Sequence, residues 1–208
     1  MRFHRKSTCC VLAIMLLLSI LCTSVYAASG FQGYAIYRDG VFANTNWHAG
    51  IMYRPYSTSS NPVVHHPGIG AEVERGTWNE FMNYPEEDND FEGVYEPDDG
   101  LSSAERDRIV TMAARLVDEN IDYNLLYLVY YNLQDVGTWV SYSEISSMRC
   151  DGVVEWIYEW YGYRVYGSSS KWDVSLASFD NREEHSRLYI TPKKQPDYLT
   201  RVQSGVPD

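Results

Sequence analysis

Cys150, one of four cysteines, and a few imidazoles are the side chains of this chain whose types and spacing could do covalent chemistry. Cys150 stands in Arg149-Cys150-Asp151-Gly152, just ahead of the apolar positions Val153, Val154, Ile157 and Tyr161. That spacing predicts a helix from about Cys150 to Tyr161, ended by Gly162. A sulfur in the first turn of a helix lies near unpaired backbone N–H groups and the positive end of the dipole, both of which favour thiolate over thiol. Arg149 pushes the same way, and Asp151 opposes it. The same N–H groups could face a carbonyl oxygen as it gains charge. The plain alternative is that Cys150 is one more small core residue of an amphipathic helix.

A thiol that attacks an amide or ester needs a base that takes and returns a proton near neutral pH, and imidazole suits that task. There are five histidines: His4, His48, His65, His66 and His185. His48 lies in Trp47-His48-Ala49-Gly50-Ile51, a strand-like segment whose small Ala49 and Gly50 let another element approach closely. His65 or His66, on the next strand-like segment, could orient His48 through its second ring nitrogen, as the third member of a triad does. Because these two point to opposite faces of a strand, only one can do so. A satisfied core imidazole at His48 and surface imidazoles at His65 and His66 are the competing readings. One thiolate with two imidazoles could hold zinc, but no short paired ligand motif is present, so the reading carries no metal and no cofactor. No Gly-x-Ser-x-Gly elbow supports serine chemistry, and Gly68-Ile69-Gly70 is too short for a nucleotide loop. Tyr123 and Tyr127 could line a cleft, although most of the 18 tyrosines must be ordinary packing residues.

The elements around these residues follow from pattern. Tyr34–Tyr37, Trp47–Tyr53, Pro62–His66 and Gly70–Glu74 have strand composition, and Arg38-Asp39-Gly40 and Pro67-Gly68 are plausible turns, which together predict an antiparallel meander. An acidic, turn-rich stretch from Pro85 to Gly100 reads as solvated surface, with Phe91–Tyr95 as an edge strand. Ser102 with Glu105 three residues on is a capping box, opening a helix with Ile109, Met112, Leu116 and Val117 on one face and Asn120 as its stop. Gly167–Ser170 reads as a loop and Leu188–Ile190 as the last strand.

Arg2, His4, Arg5 and Lys6 precede an apolar run from Val11 to Leu21, and Val25-Tyr26-Ala27 supplies the small residues that a signal peptidase reads. Residues 1–27 are therefore expected to be a cleaved export signal and 28–208 one domain, secreted outside the cell or into its envelope. The apolar run is about half the ~20 residues of a comfortable membrane span, so no stable span is expected after cleavage. Cleavage removes Cys9, Cys10 and Cys22, leaving Cys150 without an internal disulfide partner. With 45% hydrophobic and 22% charged residues, the chain is an ordinary globular one rather than disordered, collagen-like or polytopic. Its 17 basic and 28 acidic residues give a net charge of −11, and removal of Arg2, Arg5 and Lys6 makes it −14, which repels phosphate backbones and argues against a nucleic-acid partner.

His48, then His65, then Cys150 at a helix start resembles the circularly permuted branch of the NlpC/P60 papain-like superfamily. Asn46–Tyr53 resembles that family's His-x-Gly-Ile strand, Val63–Pro67 the following strand, and Arg149–Tyr158 the nucleophile helix. The resemblance implies an α+β, papain-like fold in which an antiparallel sheet packs against a helix bearing the nucleophile. It further implies Cys150 as nucleophile, His48 as general base and then acid, and His65 as orienter, in a cysteine amidase, peptidase or acyl transferase. Substrates implied are a peptide, a peptidoglycan stem peptide or a lipid amide or ester, and a non-catalytic binding domain on the same fold is the alternative. Two features depart from the pattern. Arg149-Cys150-Asp151-Gly152 stands where cell-wall enzymes read Asp-Cys-Ser-Gly, and His65 stands where the permuted bacterial branch often has Glu.

Overall fold

The computed structural model describes residues 29–40, 47–83 and 89–207. The expected export signal at 1–27 and the acidic residues 86–88 lie outside the described residues. Extended segments form β1 (Ala35–Arg38), β2 (His48–Met52) and β3 (Val63–His65), rich in apolar and small residues, and the charged edge strand β4 (Glu74–Gly76), each antiparallel to the one before it. After the short helix α1 (Trp78–Asn83), β5 (Phe91–Glu96) returns to the other side of β1. Helix α2 (Ser103–Asp118) leads to β6 (Asp122–Tyr123), β7 (Val129–Tyr130) and β8 (Ser147–Met148), a small sheet in the order β6-β8-β7. Helix α3 (Cys150–Trp160), the short α4 (Phe179–Glu184) and β9 (Thr200–Gln203) complete the chain. The larger sheet runs β4-β3-β2-β1-β5-β9, antiparallel throughout, so the fold is α+β.

Side chains alternate across each strand, and both faces of the larger sheet are covered. Ala35, Tyr37, Ala49, Ile51 and Val64 pack with Ile109 and Leu116 of α2 and with Val153, Val154 and Ile157 of α3. Ile36, Met52, Val63 and Val94 project from the opposite face onto Phe81 of α1. Ser102 and Glu105 make the expected capping box, and Asn120 stops the chain in the left-handed region at φ 54°. Helix α3 spans the expected residues to within one position. Its first turn is pressed so closely on the small sheet that a Cβ at Gly152 would stand 2.2 Å from the Leu128 carbonyl oxygen. Among the described residues no helix is long and apolar enough to cross a membrane.

Four expectations need correction. The segment Phe91–Tyr95 is not an edge strand: β5 lies between β1 and β9. The fourth strand is Glu74–Gly76 rather than Gly70–Glu74, and Leu188–Ile190 is a turn, the last strand being Thr200–Gln203. Helices α1 and α4, six residues each, fell in segments too short to show helical periodicity. Tyr161 packs against the core as expected, but as the partly buried C-terminal cap of α3 and not as a residue of its helical body.

Candidate functional site

The backbone of β2 organises the site. Met52 N–H bonds Tyr34 O on the β1 side, whereas Tyr53 N–H bonds Pro62 O on the β3 side. Alternation therefore turns the Trp47 carbonyl and the Ala49 N–H toward β3. Pairing with β3 ends at Gly50 and His65, so these two groups have no strand partner. The Cys150 sulfur fills that gap: its thiol points at Trp47 O, 4.0 Å away, and the Ala49 N–H points at the sulfur. The residue bracketed by these two contacts is His48.

The His48 and His65 rings are joined, His48 Nε2 lying 2.7 Å from His65 Nδ1. They stand edge to face with centroids 5.0 Å apart and both lean on Phe81, so they project from the α1 face while α3 covers the other. The imidazole pair and the helix that carries Cys150 are thus on opposite faces of the sheet, and the sulfur reaches the seam between them where β3 stops. No hydrogen bond joins the sulfur to either ring. His66 turns the other way, against Tyr123 at 5.0 Å between centroids, and its ring faces the Ile121 and Asp122 carbonyls without a well-formed hydrogen bond. Of the two candidates for the partner of His48, His65 is the one in contact.

Burial dominates the electrostatics. Cys150 is 4% exposed, and its thiol is pushed up to about 12, by desolvation first and by Asp151 second; the Ala49 N–H, Arg149 and Arg38 pull the other way. The expected thiolate is therefore not the resting form. Arg149 cannot act as a free cation because it grips Asp151 with two bonds of 2.8 and 2.6 Å and gives a third to Ile190 O. Desolvation holds His48 well below its ordinary value and His65 down to about 3, with Arg38 pushing each further in the same direction. Both rings are neutral at pH 7. For His48 to be a base at Nδ1, its Nε2–H must donate to His65 Nδ1, which leaves the His65 proton on Nε2, 4.0 Å from Glu74 Oε1.

Three parts of the surroundings were not assigned from sequence. Arg38, opposite His48 across β1 and β2 and 2% exposed, is a buried cation that disfavours protonation of both imidazoles. Tyr123 has its phenol held strongly protonated by burial, with Cys150 and Asp151 adding to the effect, so it belongs to the sulfur's surroundings. The third is a buried polar row on the far side of α3. Glu155 lies 2.9 Å from His185 Nε2 and accepts from Gln195 at 3.0 Å, and Glu159 accepts from the Val174 N–H at 2.7 Å. His185 is thereby engaged in holding the helix and not in the chemistry of Cys150. A fourfold step from Asp151 to Glu155 to Glu159 is the trace this row leaves in the sequence, and such a row reads as a solvated face until the segment that buries it is known. Among the described residues, no three His, Cys, Asp or Glu side chains converge to hold a metal ion.

The position of Gly76 makes the His48–His65 contact testable. A Cβ there would stand 2.2 Å from His65 Nε2 and 3.0 Å from its Cδ2, so Gly76→Ala must move the ring. The fold, which keeps the β3–β4 pairing, should survive as judged by circular dichroism, while any turnover that depends on the pair should fall about tenfold or more, as a displacement near 1 Å does to a positioned base. Unchanged turnover would remove His65 from the mechanism.

No protein-family model, curated protein or solved structure matches this chain.

Proposed function

We propose that the protein is a secreted cysteine hydrolase of papain-like, permuted NlpC/P60 type that cleaves an amide or ester through a thioester. The observation that carries this reading is the seat of the sulfur, at the first turn of α3 and held by the backbone on both sides of His48, whose ring is in turn held by His65. As sulfur attacks the substrate carbonyl, the thiol proton passes to His48, and the developing oxyanion can turn to the N–H groups of the helix start. The tetrahedral adduct expels the amine or alcohol, which takes that proton, leaving an acyl-thioester on Cys150. Water, deprotonated by His48, then releases the acid and restores the thiol. His65 keeps His48 in the tautomer this cycle needs, without adding charge. Because thiol and imidazole are both neutral at rest, the proton moves during attack and not before it.

A substrate in the cell envelope, such as a peptidoglycan stem peptide, follows from the expected export, and a lipid amide or ester is the rival within the same chemistry. A non-catalytic binding domain is the second reading, favoured by the near-complete burial of Cys150. Intact-mass analysis after incubation with purified muropeptides and, separately, with phospholipids decides among the three. The enzyme reading expects released product and one acyl group on the peptide containing Cys150 with one of the two panels, and neither with Cys150→Ala. An unmodified Cys150 and no product with either panel would leave the binding domain.

A further inference from the structure

We infer that the turn at Leu188–Tyr189 and the facing loop at Leu125–Leu126 form a docking surface for an anionic lipid bilayer. Leu188 is 87% exposed, Leu126 and Tyr189 are each 59% exposed and Leu125 is 43% exposed, whereas the other leucines among the described residues are largely covered. Tyr127 pairs with Ser186, and Arg187 N–H bonds Leu126 O, so the two segments run side by side and bring Leu125 opposite Leu188. Their backbones also hold the start of α3: Arg149 N–H bonds Leu128 O at 3.0 Å, and its guanidinium bonds Ile190 O at 3.1 Å. The leucine tips thus lie two to three residues along the chain from the backbone groups that hold the start of α3.

Charge selects the occupant. Across an acidic chain, residues 123–134 carry no charged side chain, and residues 186–195 carry Arg187, Lys193 and Lys194 and no acid. Of the carboxylates nearest on α4, Glu184 is paired with Lys171, and Glu183 accepts from the Tyr127 hydroxyl while keeping its charge. Distant acids are screened, since the Debye length is only ~8 Å at physiological ionic strength. Protruding leucines with a tyrosine and a basic rim are the side chains that enter the interfacial zone of a bilayer and meet its phosphate headgroups. Four side chains from two loops cannot supply the ~800 Å² per partner that a stable protein complex buries, whereas a bilayer needs only their insertion.

Co-sedimentation of the folded protein with vesicles of phosphatidylcholine, alone or with phosphatidylglycerol, tests the inference. Binding should favour the phosphatidylglycerol vesicles and weaken as salt rises. The double variant Leu126→Ser, Leu188→Ser should bind about tenfold less or weaker, and Arg187→Gln with Lys193→Gln should abolish the preference for anionic vesicles. All four positions are exposed, so circular dichroism should be unchanged. Cys150→Ala should bind like the wild type, which separates this surface from the proposed hydrolysis. Failure to bind either vesicle, equal binding by the leucine variant, or self-association through these leucines in place of vesicle binding would overturn it.

Discussion

Native Cys150 should react with iodoacetamide at pH 7 on the order of a thousandfold more slowly than the same cysteine in the urea-unfolded chain. With its thiol at about 12, the native residue has roughly three-thousandfold less thiolate than a free cysteine titrating near 8.5. The greater intrinsic nucleophilicity of a more basic thiolate returns part of that factor, and the 4% exposure of the residue takes it away again. The native rate should also keep rising about tenfold per pH unit from pH 7 to pH 10, where a free thiol has levelled off. Fast labelling at neutral pH with a plateau below pH 7 would mean a preformed thiolate–imidazolium pair, and general-base activation of a neutral thiol would then be wrong. His48→Ala discriminates further: it should leave iodoacetamide labelling of the resting protein nearly unchanged while stopping formation of the acyl-enzyme, because His48 acts only as the thiol loses its proton to a bound substrate.

This expectation reverses the simplest reading of Arg149-Cys150-Asp151, and the reason lies in what a sequence shows of a helix. The start at Cys150, the stop at Gly162 and the inward stripe of Val153, Val154 and Ile157 are local properties, and all were legible. So were the strands at His48 and His65, because a period of two and bounding turns mark them without reference to anything distant. What could not be read was the burial of the second face of α3. Asp151, Glu155 and Glu159 become core residues only because Arg149, Gln195, His185 and the Val174 backbone meet them, and three of those four partners lie at least 15 residues away. The sulfur itself is 4% exposed, and its burial lets desolvation outweigh the dipole of the helix. The side of the sheet from which His48 projects was hidden for a similar cause. It depends on which strand neighbour takes each carbonyl, and so on the point where β3 ends. The short helix α1, which supplies Phe81 beneath both imidazoles, left no periodic trace.

His65 should make the fold acid-sensitive, and removing it should make the fold less so. In the unfolded chain histidine titrates near 6.5, whereas in the folded protein His65 holds out to about 3 because protonation would place a charge at a site that is 1% exposed and already faces Arg38. A depressed native value means that the unfolded state binds the proton first. The stability this ring contributes is therefore fully present above pH 6.5 and is lost as pH falls toward 3, amounting to about 5 kcal/mol over the whole window and about 3 kcal/mol by pH 4. His48 and His66 are lowered too and act in the same direction, while Glu155 and Glu159, both raised by burial, act in the opposite direction above their unfolded values. A comparison with His65→Gln isolates the one residue. At pH 7 the variant should be less stable in urea titrations, having lost the contact with His48, but its deficit should shrink by about 3 kcal/mol between pH 7 and pH 4. A deficit that stays constant with pH would mean that His65 is not buried as a neutral ring, and the orienting role given to it beside His48 would lose its physical basis.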